Sequence, residues 1–286
     1  MPYRLANIDG RAALADESNY FDLEMLSGGS IGSDPMQALT VPEKLSELSA
    51  GLGSATPTGS LLDAKLGSPV PRPRNSFGIG LNYRDHAAES NMELPANPMV
   101  FTKFPSCIVG PRDTVELRSD KVDYEGELVV VIGTPGKDIS LADAWNHVAG
   151  LTAGQDISDR PAQFMAKPPH FALGKSFDTF GPTGPVLVST DSFENPGDLL
   201  LQTFVNDDKR QEARTSDLIF DVPFLVSFLS RITSLRTGDV IFTGTPEGCG
   251  FKTQQWLTDG DVITTTIEGI GSMANPCAQV SDWKQG

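Results

Sequence analysis

No segment narrows the possible folds as sharply as Glu125 to Ile132, where two glutamates run straight into Leu128-Val129-Val130-Val131-Ile132. An aliphatic run without polar alternation, rich in β-branched residues, is the pattern of a strand covered on both faces. Side chains two apart on a strand point the same way, so Glu125 and Glu127 share a face at the mouth of a buried element. Two such carboxylates repel and lose solvation unless they take up a proton or a cation. Oxygen donors suit a hard divalent ion such as Mg2+, Mn2+ or Ca2+. A solvated glutamate pair on an edge strand is the other reading, and spacing alone leaves both open.

A third oxygen donor would have to come from elsewhere in the chain. Asp156 ends a strand predicted over Leu151 to Ile157, where ligands converge, although a turn or helix-cap aspartate has the same signature. His86 and Glu89 are three apart and share a face if their segment is helical. A carboxylate beside an imidazole raises its basicity, as a general base requires, but an exposed surface pair looks the same in sequence. Lys175, between glycines and aromatics, could neutralise an oxyanion or simply face solvent. The glycines of Gly78-Ile79-Gly80 and of Thr243 to Gly248 match neither a dinucleotide fingerprint nor a phosphate loop. Neither a G-x-S-x-G elbow nor an H-E-x-x-H pair occurs.

Around these residues the chain reads as a β-rich α+β protein. Asp9-Gly10 predicts a two-residue hairpin between residues 3–8 and 11–15. Val41 to Leu48 suits a short helix, and Ser140 to Asp143 resembles a capping box opening a helix toward Gly150. Asp221 and Pro223 start a helix whose apolar face is Phe224, Leu225, Phe228, Leu229 and Ile232. Residues 239–243 and 261–267 read as strands. Pro69, Pro71 and Pro73 favour an extended linker. This divides the chain into a small β-rich N-terminal part, residues 1–72, and a body, residues 73–286.

With 22 Lys and Arg against 37 Asp and Glu, the net charge of −15 opposes binding to nucleic acid or to anionic membranes. Three cysteines with no C-x-x-C pair make neither a disulfide framework nor a thiolate metal site. The residues after Met1 lack the apolar stretch of a secretory signal, and no run approaches a membrane span, so a cytoplasmic protein is expected.

Taken in order, six segments are similar to those of the fumarylacetoacetate hydrolase superfamily. They are GIGLNYRDHAAE (78–89), VDYEGELVVVIG (122–133), AGQDISDRPAQ (153–163), LGKSFDTFGPTGP (173–185), VNDDKRQEARTSDLIFDVP (205–223) and GDVIFTGTPEGCG (238–250). The chain resembles the shorter branch of acylpyruvate hydrolases, oxaloacetate decarboxylases and 2-hydroxyhepta-2,4-diene-1,7-dioate isomerases. The resemblance implies the family's mixed β-roll preceded by a small N-terminal β domain, assembled as a homodimer. It implies one Mg2+ or Mn2+ per site on Glu125, Glu127 and Asp156, and His86, Glu89 and Lys175 as catalytic residues. Tyr83, Arg160, Gln163 and Thr245 fall on its substrate-binding positions. Cys249 departs from the valine common in the G-V-G turn, and could be oxidisable.

The implied activity is metal-dependent hydrolysis of a C–C bond in an acylpyruvate, giving pyruvate and a carboxylic acid. Oxaloacetate decarboxylation, isomerisation of an unsaturated 2-oxo acid, and a non-catalytic role are the alternatives. A small 2-oxo acid is the expected partner.

Overall fold

The computed structural model describes residues 2–84 and 95–283, so His86 and Glu89 lie outside the described residues. Among the described residues, strands Arg4–Ile8 and Arg11–Ala15 pair with Ile8 opposite Arg11. The turn between them holds Asp9 at φ 50° and Gly10 at φ 86°, two positive values that match the right-handed twist of a hairpin. Asn19–Asp22 and Gly59–Ser60 extend this meander outward.

On its other side Arg4–Ile8 pairs antiparallel with Gly181–Val188, so the sheet runs straight across residue 72. The order continues through Val148–Gln155, Gly126–Ile132, Val240–Phe242, Ser76–Gly80 and Met99–Thr102. Leu66–Gly67 and Ile108–Val109 attach as side branches, making twelve described strands. The pairing is mixed, because Val240–Phe242 runs parallel to Ser76–Gly80. A second sheet of five described strands has the order Asp208–Arg214, Leu200–Val205, Val262–Ile267, Gly271–Gln279, Val115–Leu117.

Gly126–Ile132 lies between two strands of the large sheet, and every one of its residues is buried. Its alternate side chains feed two different cores. Leu128, Val130 and Ile132 pack with the helix Val222–Ile232, through Leu225, Val226 and Leu229, and with Leu201 and Ile267 of the second sheet. Val129 and Val131 face the N-terminal side, where Leu39 caps the short helix Pro35–Ala38 and Leu45 sits on the helix Pro42–Ala50. That division explains the unbroken aliphatic run, since neither face meets water.

The helix Val222–Ile232 starts where the sequence puts it, with the Asp221 carboxylate accepting the Phe224 N–H at 2.9 Å. The predicted helix after Ser140 does not form. Ser140 and Asp143 do exchange hydrogen bonds, but only a 3-10 turn, Ala144–His147, follows. The eight residues from Val148 to Gln155 are claimed by a fully buried strand. Tertiary pairing outweighs a local cap there.

Candidate active site

The site begins where Gly126–Ile132 starts, because there the strand passes close under the second sheet. A Cβ on Gly126 would stand 2.1 Å from Thr203 Oγ1, so only glycine fits between the two glutamates. The backbone is held by glutamine side chains: Gln155 Oε1 accepts the Glu125 N–H, and Gln211 Oε1 accepts the Gly126 N–H. Gln211 also donates from Nε2 to Thr245 Oγ1, and that hydroxyl donates to the Gly126 carbonyl. Asp156 follows the neighbouring strand and donates its N–H to the Glu125 carbonyl. In consequence Glu125, Glu127 and Asp156, all buried, each place an oxygen within 4.8 Å of the others.

Three cations surround this triad. Lys175 Nζ donates to Glu125 at 2.8 Å, to Asp156 at 2.6 Å and to Ser158 Oγ at 2.8 Å. Arg160 spans Glu125, at 2.7 Å, and Asp123, while its third nitrogen donates to Gln163 Oε1 at 2.7 Å. Lys103, fully buried, donates to the second oxygen of Asp156 at 2.6 Å, to the Phe180 carbonyl, and to the Lys175 carbonyl. Burial opposes the charge on Glu125, but Lys175 and Arg160 outweigh it and bring its pKa down to about 2. For Lys175 burial is likewise outweighed, by Asp156 and Glu125, and the pKa rises.

Glu127 differs from its neighbours. Among the described residues its carboxylate accepts only the Gly244 N–H, at 2.7 Å, and meets no basic side chain. Burial, then Asp156 and Glu125, push its pKa well above the usual carboxylate range. Gly244 itself has φ 101° and would bring a Cβ within 2.8 Å of the Asn82 side chain, so this donor position also requires glycine. A buried carboxylate facing two others with no cation of its own, in an all-oxygen donor set, is what a divalent ion would complete.

Glu125 opens onto a cavity of about 480 Å³ that Arg160, Gln163, Lys175 and Thr245 also line. The structure brings these five together around one cavity. Tyr83 is 1 % exposed and does not line the cavity; its hydroxyl has no partner among the described residues. Burial, then Glu127 and Asp217, raise its pKa. Cys249 lines the cavity but is buried, and burial followed by Glu125 and Asp123 drives its thiol well above the ordinary range. A thiol held protonated is a poor target for oxidation, so Cys249→Val should leave turnover within about twofold, measured with and without peroxide.

Two residues of the site are not singled out by the sequence reading. Asp123 orients Arg160 and also accepts the N–H groups of Gly250 and Phe251. Lys103 reaches partners 53 to 77 positions away. Its only local signal is a lysine within Phe101-Thr102-Lys103-Phe104, an apolar setting that a surface lysine seldom has.

The family model for the C-terminal part of fumarylacetoacetate (FAA) hydrolase matches residues 75–278. The chain belongs to the fumarylacetoacetate hydrolase family. Among relatives of this family, the oxaloacetate tautomerase YisK of Bacillus subtilis is 45% identical over 224 residues, 76% of this chain and 74% of that protein. A Mycobacterium smegmatis protein provisionally assigned as HpcE superposes with a TM-score of 0.90 at 40% identity, covering 97% of this chain and all of that one. Maleylpyruvate hydrolase of Sphingobium, solved with manganese(II) and pyruvate, superposes with a TM-score of 0.82 at 29% identity, over 96% of this chain and 99% of that one. The two relatives named here by an activity are enzymes, and this chain holds a buried cluster of three carboxylates.

Proposed function

We propose that this chain is a divalent-metal-dependent enzyme that interconverts the keto and enol forms of a 2-oxo acid. The observation that carries the reading is the buried triad of Glu125, Glu127 and Asp156, whose Glu125 lines one cavity together with Arg160 and Lys175. Mg2+ or Mn2+ held by those three carboxylates would supply Lewis acidity toward the keto oxygen and carboxylate of the substrate. Arg160, fixed by Asp123 and Gln163, presents a guanidinium of set orientation on the cavity wall for a carboxylate. Lys175 adds a second fixed positive charge, where negative charge builds up on the substrate oxygens as the proton leaves. Thr245 offers a hydroxyl on the same wall. The proton itself leaves the carbon next to the keto group, and His86, oriented by Glu89, is the base the sequence offers for it.

Tautomerisation asks only for this proton transfer, and it is the activity named for the 45% identical relative. C–C hydrolysis of an acylpyruvate is the second reading, supported by the maleylpyruvate hydrolase neighbour and by a cavity roomier than a small head group needs. It requires in addition a water activated by His86.

Two measurements test the proposal. Ketonisation of enol-oxaloacetate followed by ultraviolet absorbance, and pyruvate release from acetylpyruvate, should both be run with Mg2+, with Mn2+ and with EDTA. Metal-dependent ketonisation without pyruvate release establishes the tautomerase, and pyruvate release establishes the hydrolase. Turnover undiminished by EDTA defeats both. Mn2+ at a hundred times its Kd should also raise stability by about 2.7 kcal/mol in thermal melts, by mass action.

A further inference from the structure

Past the charged floor, the cavity wall is aromatic. Phe164 and Phe251 stack with centroids 5.3 Å apart, and Phe101 meets Phe171 edge-on at 5.8 Å. Each pair meets one of the site's three cations. Arg160 lies 5.4 Å from the Phe251 ring centre, and Lys175 Nζ lies 5.3 Å from that of Phe101. Phe251 is positioned through its backbone, since its N–H donates to the same Asp123 oxygen that takes Arg160. Yet Phe164 and Phe251 remain 42% and 39% exposed. Large apolar rings facing an open cavity are the usual mark of a ligand surface.

Charge points the same way. Arg160 and Lys175 are engaged by Asp123, Glu125 and Asp156. Among the described lining residues, only Lys252 is a cation with no carboxylate partner, and it sits at an exposed position. A second carboxylate on the substrate would therefore meet one solvated lysine, worth little in binding. A flat apolar group would meet two ring pairs.

We propose that the site selects 2-oxo acids with a planar apolar tail, an aryl or conjugated group, lodged against the Phe164–Phe251 and Phe101–Phe171 pairs. The proposal rests on the 2-oxo acid reading above, and it departs from the oxaloacetate named for the relative. The test is calorimetric titration of the Mn2+-loaded full chain with pyruvate, phenylpyruvate and 2-oxoglutarate. Phenylpyruvate should bind at least about tenfold more tightly than either of the others, from the area its ring buries. Phe164→Ala and Phe171→Ala should each lower the phenylpyruvate-to-pyruvate affinity ratio by about tenfold. Pyruvate binding as well as phenylpyruvate, or a ratio unmoved in both variants, overturns the tail and leaves the head-group reading standing. Tighter binding of 2-oxoglutarate that is lost in Lys252→Ala overturns it in favour of a dicarboxylate. No binding of any of the three overturns the head-group reading, and the tail with it.

Discussion

Glu127→Gln should sharply weaken Mn2+ binding while leaving the metal-free protein at least as stable as the parent. Glutamine keeps an oxygen for the Gly244 N–H, and no basic side chain loses a partner, because Glu127 has none among the described residues. What disappears is a buried charge facing Glu125 and Asp156. The sign follows from its raised pKa. Glu127's contribution to metal-free stability is full below the ordinary carboxylate range and falls as pH climbs through the raised value, since the folded state must then carry a charge it disfavours. The variant lacks that decline. Affinity for Mn2+ should drop by about a hundredfold or more, because loss of even an outer partner of a metal ligand costs tenfold to a hundredfold. Thermal melts at pH 5 and pH 8, with EDTA and with Mn2+, check both halves. A variant that still gains stability from Mn2+ as the parent does would remove Glu127 from the site.

The opposite sign is expected for Lys103→Met. Methionine fills similar space, but Asp156 loses one of its two cations and the carbonyls of Lys175 and Phe180 lose their shared donor. Stripping one partner from a buried ion pair costs about 3–5 kcal/mol. Urea denaturation of the metal-free chain should show a loss of that size, against no loss for Glu127→Gln. The contrast separates a carboxylate kept for a ligand from a lysine kept for the fold. A Lys103→Met protein as stable as the parent would show that the cluster is not held together by this cation.

How much of this could be read beforehand depends on how far apart the interacting residues lie. The Asp9-Gly10 turn and the Asp221 cap are settled within four residues, and both form as the sequence indicates. The glutamate pair is readable because strand geometry forces both side chains onto one face. Joining them to Asp156, 29 positions beyond Glu127, took the family resemblance, since a lone aspartate at a strand end has many uses. Lys103 and Asp123 escaped because their roles exist only after four separate segments meet. The helix expected after Ser140 failed for a related reason: a correct local cap cannot show that the residues beyond it belong to a central strand. His86 and Glu89 fall outside the described residues, and their part in proton transfer rests on the sequence.

The pairing of Arg4–Ile8 with Gly181–Val188 has a consequence for how such proteins can change. Without Arg4–Ile8, Leu187 and Val188 would lose their partner at one end of a strand that is buried almost throughout, while Ile108–Val109 would still pair with Gly181 and Pro182. Bare edges of that kind recruit other chains. The strand Arg4–Ile8 thus protects that end of the edge in the large sheet. A chain lacking this strand would need another strand, or a partner subunit, at that end of the edge.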